Sequence, residues 1–250
     1  MLISTLKRLT SVIFFLFVTY TFIYSINAGA KMDFGILNYE WHSEDCNEIG
    51  FINKDKVFNI VYKIDDDCQI PTGDIETFKE LINESAGSWC KHYDISFNIL
   101  DNYSDEYLIS YRIVSRDTFL NLNFNDPANK RESFSRDSVI GLVNRDEFDY
   151  VGLGLKDNKD INVYRIDKST IFIVWDDNEN SNFKTSYYDY SNWLKLFTHE
   201  FGHAIGYRGH NGSKASKPIM YKDGSELMSW DVKEPNNEDI EHLKNVYDAN

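Results

Sequence analysis

The residues best suited to chemistry in this chain lie in the segment HEFGHAIGYRGH, at positions 199–210. His199 and His203 are four residues apart, and on a helix such residues project from the same face, one turn apart. Two imidazoles placed in this way can bind one metal ion. Glu200 follows the first histidine, where its carboxylate can reach a water in an open position beside the metal. The spacing therefore predicts a metal site with an acidic general base.

The chain that follows this helix supplies the third predicted ligand. Gly206 can adopt the positive φ that ends a helix and turns the chain back, and His210 can then return to the metal. Three protein ligands and one open position are typical of a catalytic zinc site, in which the pKa of the bound water falls to about 7. We predict one catalytic zinc ion on His199, His203 and His210, with Glu200 as the general base.

Chance is the competing explanation for the short pattern. From the composition of this chain, H-E-x-x-H arises by accident with a probability on the order of one per cent. The apolar helical stretch at 193–197 favours a metal site over a fortuitous surface pattern. His42 and His92 lack ligand spacing, and His242 falls on the polar side of the last predicted helix. All three are therefore expected to be ordinary surface residues.

The segment resembles the extended zinc signature of the metzincin peptidases, H-E-x-x-H-x-x-G-x-x-H followed by a Met-turn. HEFGHAIG at 199–206 is most similar to the matrixin branch, and Ile219-Met220-Tyr221 resembles its Met-turn, whose methionine lies beneath the metal without binding it. The resemblance implies a metzincin-like, matrixin-like zinc-peptidase domain. It also implies a zinc endopeptidase that holds an extended peptide along an edge strand.

The sequence departs from the metzincin pattern at several positions. Three residues lie between Gly206 and His210 where the family has two, and Gly209 can absorb the extra residue as a bulge. Lys222 stands where some metzincins carry a tyrosine ligand, and Cys46 is not in a cysteine-switch motif. The calcium and second-zinc sites of the animal enzymes are not carried over, because no matching Asp/His cluster occurs.

Hydrophobic periodicity predicts the elements that must position the site. Strands are predicted at 57–64, 95–100, 107–114 and 169–175, and helices at 74–93, 191–207 and 237–247, with Asp74 as the N-cap of the first helix. Residues 31–54 have weak periodicity and are predicted to form an irregular N-terminal lead, without regular secondary structure. Within 115–168, one of the short apolar pieces at 139–143 and 151–155 is expected to form an edge strand. The order predicts an α+β domain at 31–250, with a mixed twisted sheet, a long helix, an active-site helix and a C-terminal helix.

The first thirty residues predict export. They have a positive start, an apolar middle and the small residues Ala28-Gly29-Ala30, typical of a signal peptide cleaved before Lys31. The alternative is a retained membrane anchor, because the apolar stretch is longer than most signal cores. A secreted protein, extracellular or periplasmic, is therefore expected.

Charge and cysteine content limit the partners and the covalent framework. The chain has 26 basic and 40 acidic residues, a net charge of −14, and loss of Lys7 and Arg8 with the signal peptide makes it −16. Such a surface argues against nucleic acid or membrane partners and leaves a protein or peptide substrate. Cys46, Cys68 and Cys90 can form one disulfide in an exported protein, in a pairing that the sequence does not determine.

Two further hypotheses fit the same residues. In a gluzincin-like site, the third ligand would be an acidic residue of a later helix, such as Glu238 or Glu241. A non-catalytic binding module could keep a zinc site for structure alone. Glu200 argues against the module, since a structural site has no use for a general base.

Overall fold

The structure is a computed structural model, and it describes residues 48–53, 57–101, 106–124, 126, 139–156, 159–177, 184–221 and 223–249. The predicted signal peptide at 1–30, together with Cys46 and Lys222, lies outside these residues. Within the described ranges, no helix is both long enough and apolar enough to cross a lipid bilayer.

Six strands of the described chain form one mostly parallel sheet. They are β1 (Glu48–Ile52), β2 (Phe58–Ile64), β3 (Phe97–Ile99), β4 (Ile109–Ser115), β5 (Gly141–Lys156) and β6 (Lys159–Trp175). The first half of β6 pairs in parallel with β1 and its second half with β4, which is followed by β2 and β3. β5 runs antiparallel along the other side of β6, and the two form a long hairpin.

Five α-helices accompany the sheet in the described residues. They are α1 (Ile75–Cys90), α2 (Arg116–Leu120), α3 (Tyr190–Ala204), α4 (Gly224–Ser229) and α5 (Asn237–Ala249), with a 3₁₀ turn at Thr185–Tyr187. Aspartates cap the two long central helices. Asp74 accepts a hydrogen bond from the backbone N–H of Thr77, and Asp189 accepts one from that of Asn192. The predicted cap at Asp74 is therefore confirmed.

The main core lies between one face of the sheet and helices α1 and α3. Phe197 of α3 packs edge-on against Phe78 of α1 and stacks on Tyr111 of β4, with ring centroids 5.6 and 5.0 Å apart. Trp89 joins the helices directly, because its indole N–H donates to the carbonyl of Thr198 at 2.8 Å. The opposite face of the sheet buries a smaller cluster beneath α2, which includes Phe119. Contacts with both α1 and the sheet therefore hold α3 in place.

The predicted fold class agrees with the structure at the level of a mixed α/β chain with a mostly parallel sheet and several helices. Two predictions about the elements were wrong. The irregular lead at 31–54 contains β1, and 115–168 contains α2, all of β5 and most of β6. The expected edge strand is much longer than either short apolar piece, because β5 contains 151–155 and also 141–143 of the first piece. Its buried Asn144 and Arg145 interrupt the apolar pattern between them, which hid the strand.

Candidate metal centre

The structure brings His199, His203 and His210 together. Each offers a ring nitrogen, and the three nitrogens lie within 4.8 Å of one another. The Nε2 atoms of His199 and His203 are 3.2 Å apart. Two ligands of a tetrahedral zinc ion, each about 2.0–2.1 Å from the metal, are separated by about 3.3 Å. The helix-borne pair is therefore spaced for a shared ion.

Backbone carbonyls determine which ring nitrogens are free to bind a metal. Nδ1 of His199 lies 2.8 Å from the carbonyl oxygen of Ile219, and Nδ1 of His203 lies 2.6 Å from that of Tyr207. Because a carbonyl oxygen can only accept, both Nδ1 atoms carry the proton. In the neutral rings each Nε2 then presents a lone pair, which is the form that binds metals.

Burial keeps these rings neutral. It lowers the pKa of His199 to about 4 and that of His210 to about 3, and it lowers the pKa of His203 well below its usual range. At neutral pH the lone pairs of His199 and His203 therefore face each other at 3.2 Å with no proton between them. A cation between these nitrogens relieves that repulsion, so the cluster is compatible with a bound metal ion.

The loop after α3 accommodates the late third histidine. The helix ends at Ala204, three residues earlier than predicted, and the N–H of Tyr207 donates to the carbonyl of Gly202. Gly206 has φ of +122° and Gly209 has φ of +80°, both in the region that favours glycine. The second positive φ supports the predicted role of Gly209, because it lets the chain reverse and return His210 beside the helix pair.

Gly206 also permits a close backbone approach. The backbone N–H of Gly50 in β1 donates to the carbonyl of Gly206 at 3.0 Å. A Cβ at position 206 would overlap the peptide of Gly50, with its Cα only 2.9 Å away. β1 therefore fixes the turn that leads to His210.

Met220 is fully buried, and its sulfur lies against α3. A Cβ at Gly202 would lie 2.6 Å from its sulfur, so this mid-helix glycine lets the methionine approach. The carboxylate of Asp239 in α5 accepts from the backbone N–H groups of Ile219 and Met220, at 2.8 and 3.4 Å. Since the carbonyl of Ile219 also orients the His199 ring, Asp239 helps to hold that ring in place without touching it.

Glu200 of α3 is buried, with 5% of its surface exposed, and its side chain lies against Gly141 at the start of β5. A Cβ on Gly141 would lie 2.7 Å from the Cγ and Cδ atoms of Glu200, so a larger residue at this position would displace the carboxyl group. Burial raises the pKa of Glu200 to about 8. A carboxyl whose pKa lies near neutrality can both accept and return a proton at physiological pH.

Other predicted residues lie elsewhere. The Glu238 carboxylate accepts hydrogen bonds from Asn211 and from Ser216, and within the described residues the only His/Cys/Asp/Glu cluster with metal-ligand spacing is the histidine triad. Glu241 is exposed. The structure therefore places His210, and neither glutamate, beside the helix pair.

The prediction for His242 was wrong, whereas His92 is exposed as predicted. His242 is buried, and its ring lies 4.0 Å from the ring of Tyr207. The buried aromatic ring beside it lies on a loop that follows α3, and helix periodicity alone does not reveal that partner. Cys68 and Cys90 are free thiols.

A comparison with protein-family models finds no match, and a comparison with curated proteins finds none either. The site is therefore interpreted from its own geometry.

Several residues that shape the site were not predicted from the sequence. They are Gly141, which adjoins Glu200, Asp239, which accepts from the backbone at Ile219 and Met220, and Arg208, whose side chain is buried two residues before His210. A charged residue within a short segment bounded by Gly206 and Gly209 was the available signal for Arg208. Nothing in the local pattern distinguishes Gly141 from an ordinary turn glycine.

Proposed function

We propose that this chain is an exported zinc-dependent endopeptidase. The observation that carries the proposal is the cluster of three neutral imidazoles, with a buried carboxyl group one residue after the first of them. Three histidine ligands with an open position are typical of catalytic zinc sites. The proposal agrees with the metzincin-like signature at 199–210 and with the buried methionine beneath it.

The donor set fits zinc better than a hard cation. Neutral imidazole nitrogens suit zinc and other borderline metals, whereas calcium and magnesium prefer oxygen ligands. A zinc ion held there would supply Lewis acidity, which polarises a carbonyl and lowers the pKa of a water. His199, His203 and His210 would hold it, and the carbonyls of Ile219 and Tyr207 would keep two of the rings in the required tautomer and orientation.

Glu200 is proposed to move the proton in peptide hydrolysis. As the carboxylate it takes a proton from the attacking water, and it then delivers that proton to the amine that leaves when the C–N bond breaks. The products are a carboxylic acid and an amine, and Glu200 returns to its starting state. Its burial excludes competing solvent, and the glycine at position 141 lets it adjoin the β5 backbone.

β5 is the proposed substrate-binding strand. Among the described strands it pairs with β6 alone, and its first residue, Gly141, adjoins the Glu200 side chain. An extended peptide that paired with the remaining edge of β5 would pass beside the general base. Main-chain pairing of this kind requires no particular side chain, which suits a peptide substrate.

A mixed peptide library incubated with the zinc-loaded chain tests the proposal. We expect cleavage that a chelator abolishes and added zinc restores. Glu200→Ala should reduce cleavage by about 10²- to 10⁴-fold, the usual contribution of a general base, while one zinc ion per chain stays bound. Glu241→Ala is the matched control, because this glutamate is exposed on α5, and it should change neither quantity.

Three outcomes would each contradict a part of the proposal. Full turnover by Glu200→Ala would exclude Glu200 as the base. Tight zinc binding without cleavage of any library peptide would instead favour the binding module. Loss of zinc from Glu241→Ala would point to the gluzincin-like ligand set.

A further inference from the structure

The segment between Gly206 and His210 carries one residue more than the metzincin pattern. One of its side chains, that of Arg208, contacts a buried carboxylate in the structure. Gly209, at φ +80°, permits the chain to reverse. A glycine gives freedom but does not select one conformation. The position of His210 therefore depends on what holds the residues before Gly209.

Arg208 provides a buried anchor at this point. Only 8% of its side chain is exposed, and its Nη2 atom lies 3.2 Å from Oδ2 of Asp126, whose side chain is fully buried. Its Nε atom lies 4.0 Å from the carboxylate of Glu48. Since a guanidinium presents its donors in a rigid plane, a contact of this kind fixes direction as well as distance.

The anchor belongs to a cluster that joins distant parts of the chain. Arg145 of β5 contacts both carboxylate oxygens of Asp126, at 2.8 and 2.9 Å, and Glu48 of β1 at 2.9 Å. Two arginines thus face two carboxylates, which balances the buried charge. Because Arg145 lies on β5 and β5 pairs with β6, the carboxylate of Asp126 that the two arginines share connects Arg208 to the sheet.

The same short segment holds two parts of the metal centre. Tyr207, directly before Arg208, supplies the carbonyl that lies 2.6 Å from Nδ1 of His203. His210 follows two residues after Arg208. A shift of the Arg208 side chain would therefore move both a ligand and the carbonyl that orients a second ligand.

We propose that Arg208, through its ion pair with Asp126, is a positioning residue that sets His210 at the metal site. It does not touch the metal or the substrate. This inference rests on the metal-binding part of the proposed function and is independent of whether the site cleaves peptides.

Arg208→Gln is the test variant. It leaves both carboxylates of the cluster in contact with Arg145, so no buried acid loses its last arginine partner. Zinc affinity is measured by competition with a chromophoric chelator, and the ligand geometry by the visible spectrum of the cobalt-substituted chain. We expect affinity to fall by about 10- to 100-fold, as for other residues that orient metal ligands, and the cobalt bands to shift.

Glu48→Gln is the matched control. It alters the same cluster from β1, and Glu48 is more exposed and far from the ligands in sequence. The zinc affinity should stay within about threefold of the wild-type value, and the cobalt bands should not shift, because the Arg208–Asp126 contact remains. Arg208→Lys, which keeps the charge without the planar fork, should lie between the wild type and Arg208→Gln.

Each result decides the inference. Wild-type affinity and spectrum in Arg208→Gln, or an equal loss in Glu48→Gln, would overturn it. If Arg208→Gln does not fold, Asp126→Asn removes the anchor from the other side, and wild-type zinc affinity in that folded variant would likewise overturn it. A wild-type chain that binds no zinc would overturn both proposals, whereas tight zinc binding without peptide cleavage would contradict only the endopeptidase.

Discussion

The two parts of the proposed metal centre are built in different ways. His199 and His203 lie on one helix, and their separation of 3.2 Å between Nε2 atoms follows from local helix periodicity. His210 lies on a loop with two positive-φ glycines, a backbone contact to β1 and a buried ion pair to Asp126. The backbone spacing of the helix pair thus needs only its own helix, with two nearby carbonyls orienting the rings, whereas the loop ligand needs distant strands.

This difference indicates where the site is sensitive. Changes far from the proposed metal should leave the backbone spacing of the helix pair intact, because the hydrogen bonds of α3 maintain it. The same changes can displace His210, whose position depends on contacts with β1 and β5. The four predictions below test this contrast, from the largest expected effect to the smallest.

Removing a ligand from either part should have the largest effect. We expect His199→Gln and His210→Gln each to lower zinc affinity by more than about 100-fold, beyond the range for residues that only orient ligands. His92→Gln, at an exposed histidine, should leave the affinity unchanged. Chelator competition measures all three. Unchanged affinity in His210→Gln would show that the loop does not supply the third ligand.

Gly141→Ala should affect the proposed general base, Glu200, without affecting the proposed metal ligands. The added methyl group would lie 2.7 Å from Cγ and Cδ of Glu200 and would displace the carboxyl group. A displacement of about 1 Å can reduce turnover about 100-fold. We therefore expect kcat for a library-derived peptide to fall by that order while zinc affinity stays constant. An unchanged kcat would mean that Glu200 is not held where the proton is transferred.

Gly206→Ala tests the dependence of the loop on β1. Alanine at φ +122° is strained, and its Cβ would meet the Gly50 backbone, so we expect the free energy of unfolding to fall by about 3 kcal/mol. Gly87→Ala in α1 is the control, since a Cβ there meets nothing within 4 Å. Urea unfolding should show that it stabilises the chain by about 0.5–1 kcal/mol. Equal effects of the two variants would contradict the close approach at Gly206.

The pH dependence of the metal-free chain reports on the buried imidazoles. Below pH 6.5 an unfolded His199 takes up a proton, but the folded one stays neutral until about pH 4 because burial lowers its pKa. The unfolded state therefore binds more protons, and stability falls with falling pH, by about 2 kcal/mol at pH 5 for this residue. Urea unfolding at pH 7 and pH 5 should show a smaller loss in His199→Gln. An equal loss of stability in the wild-type chain and in His199→Gln would show that His199 has its ordinary pKa in the folded state.

The sequence was most informative where structure is local. The spacing of His199, Glu200 and His203, the cap at Asp74 and the apolar face of α1 all depend on residues within a few positions of one another, so periodicity predicts them. The glycine at position 209 was also predicted to absorb the extra residue, because only the backbone freedom of glycine was required.

The parts that the sequence did not predict depend on distant partners. β1 has five residues and is defined by its pairing with β6 more than a hundred positions away. The β5–β6 hairpin buries Arg145 against Asp126, so a charge stands where an apolar residue is expected. Arg208 likewise reads as a surface residue until Asp126 is placed beside it. Each of these features is visible only once the chain is folded.

The most direct measurement is the zinc-edge X-ray absorption spectrum of the zinc-loaded chain. We predict one ion per chain with three imidazole nitrogens at about 2.0–2.1 Å and one further oxygen, and a loss of one imidazole in His210→Gln. A first shell with only two imidazoles, or one closed by a fourth protein ligand, would contradict the three-histidine site with an open position.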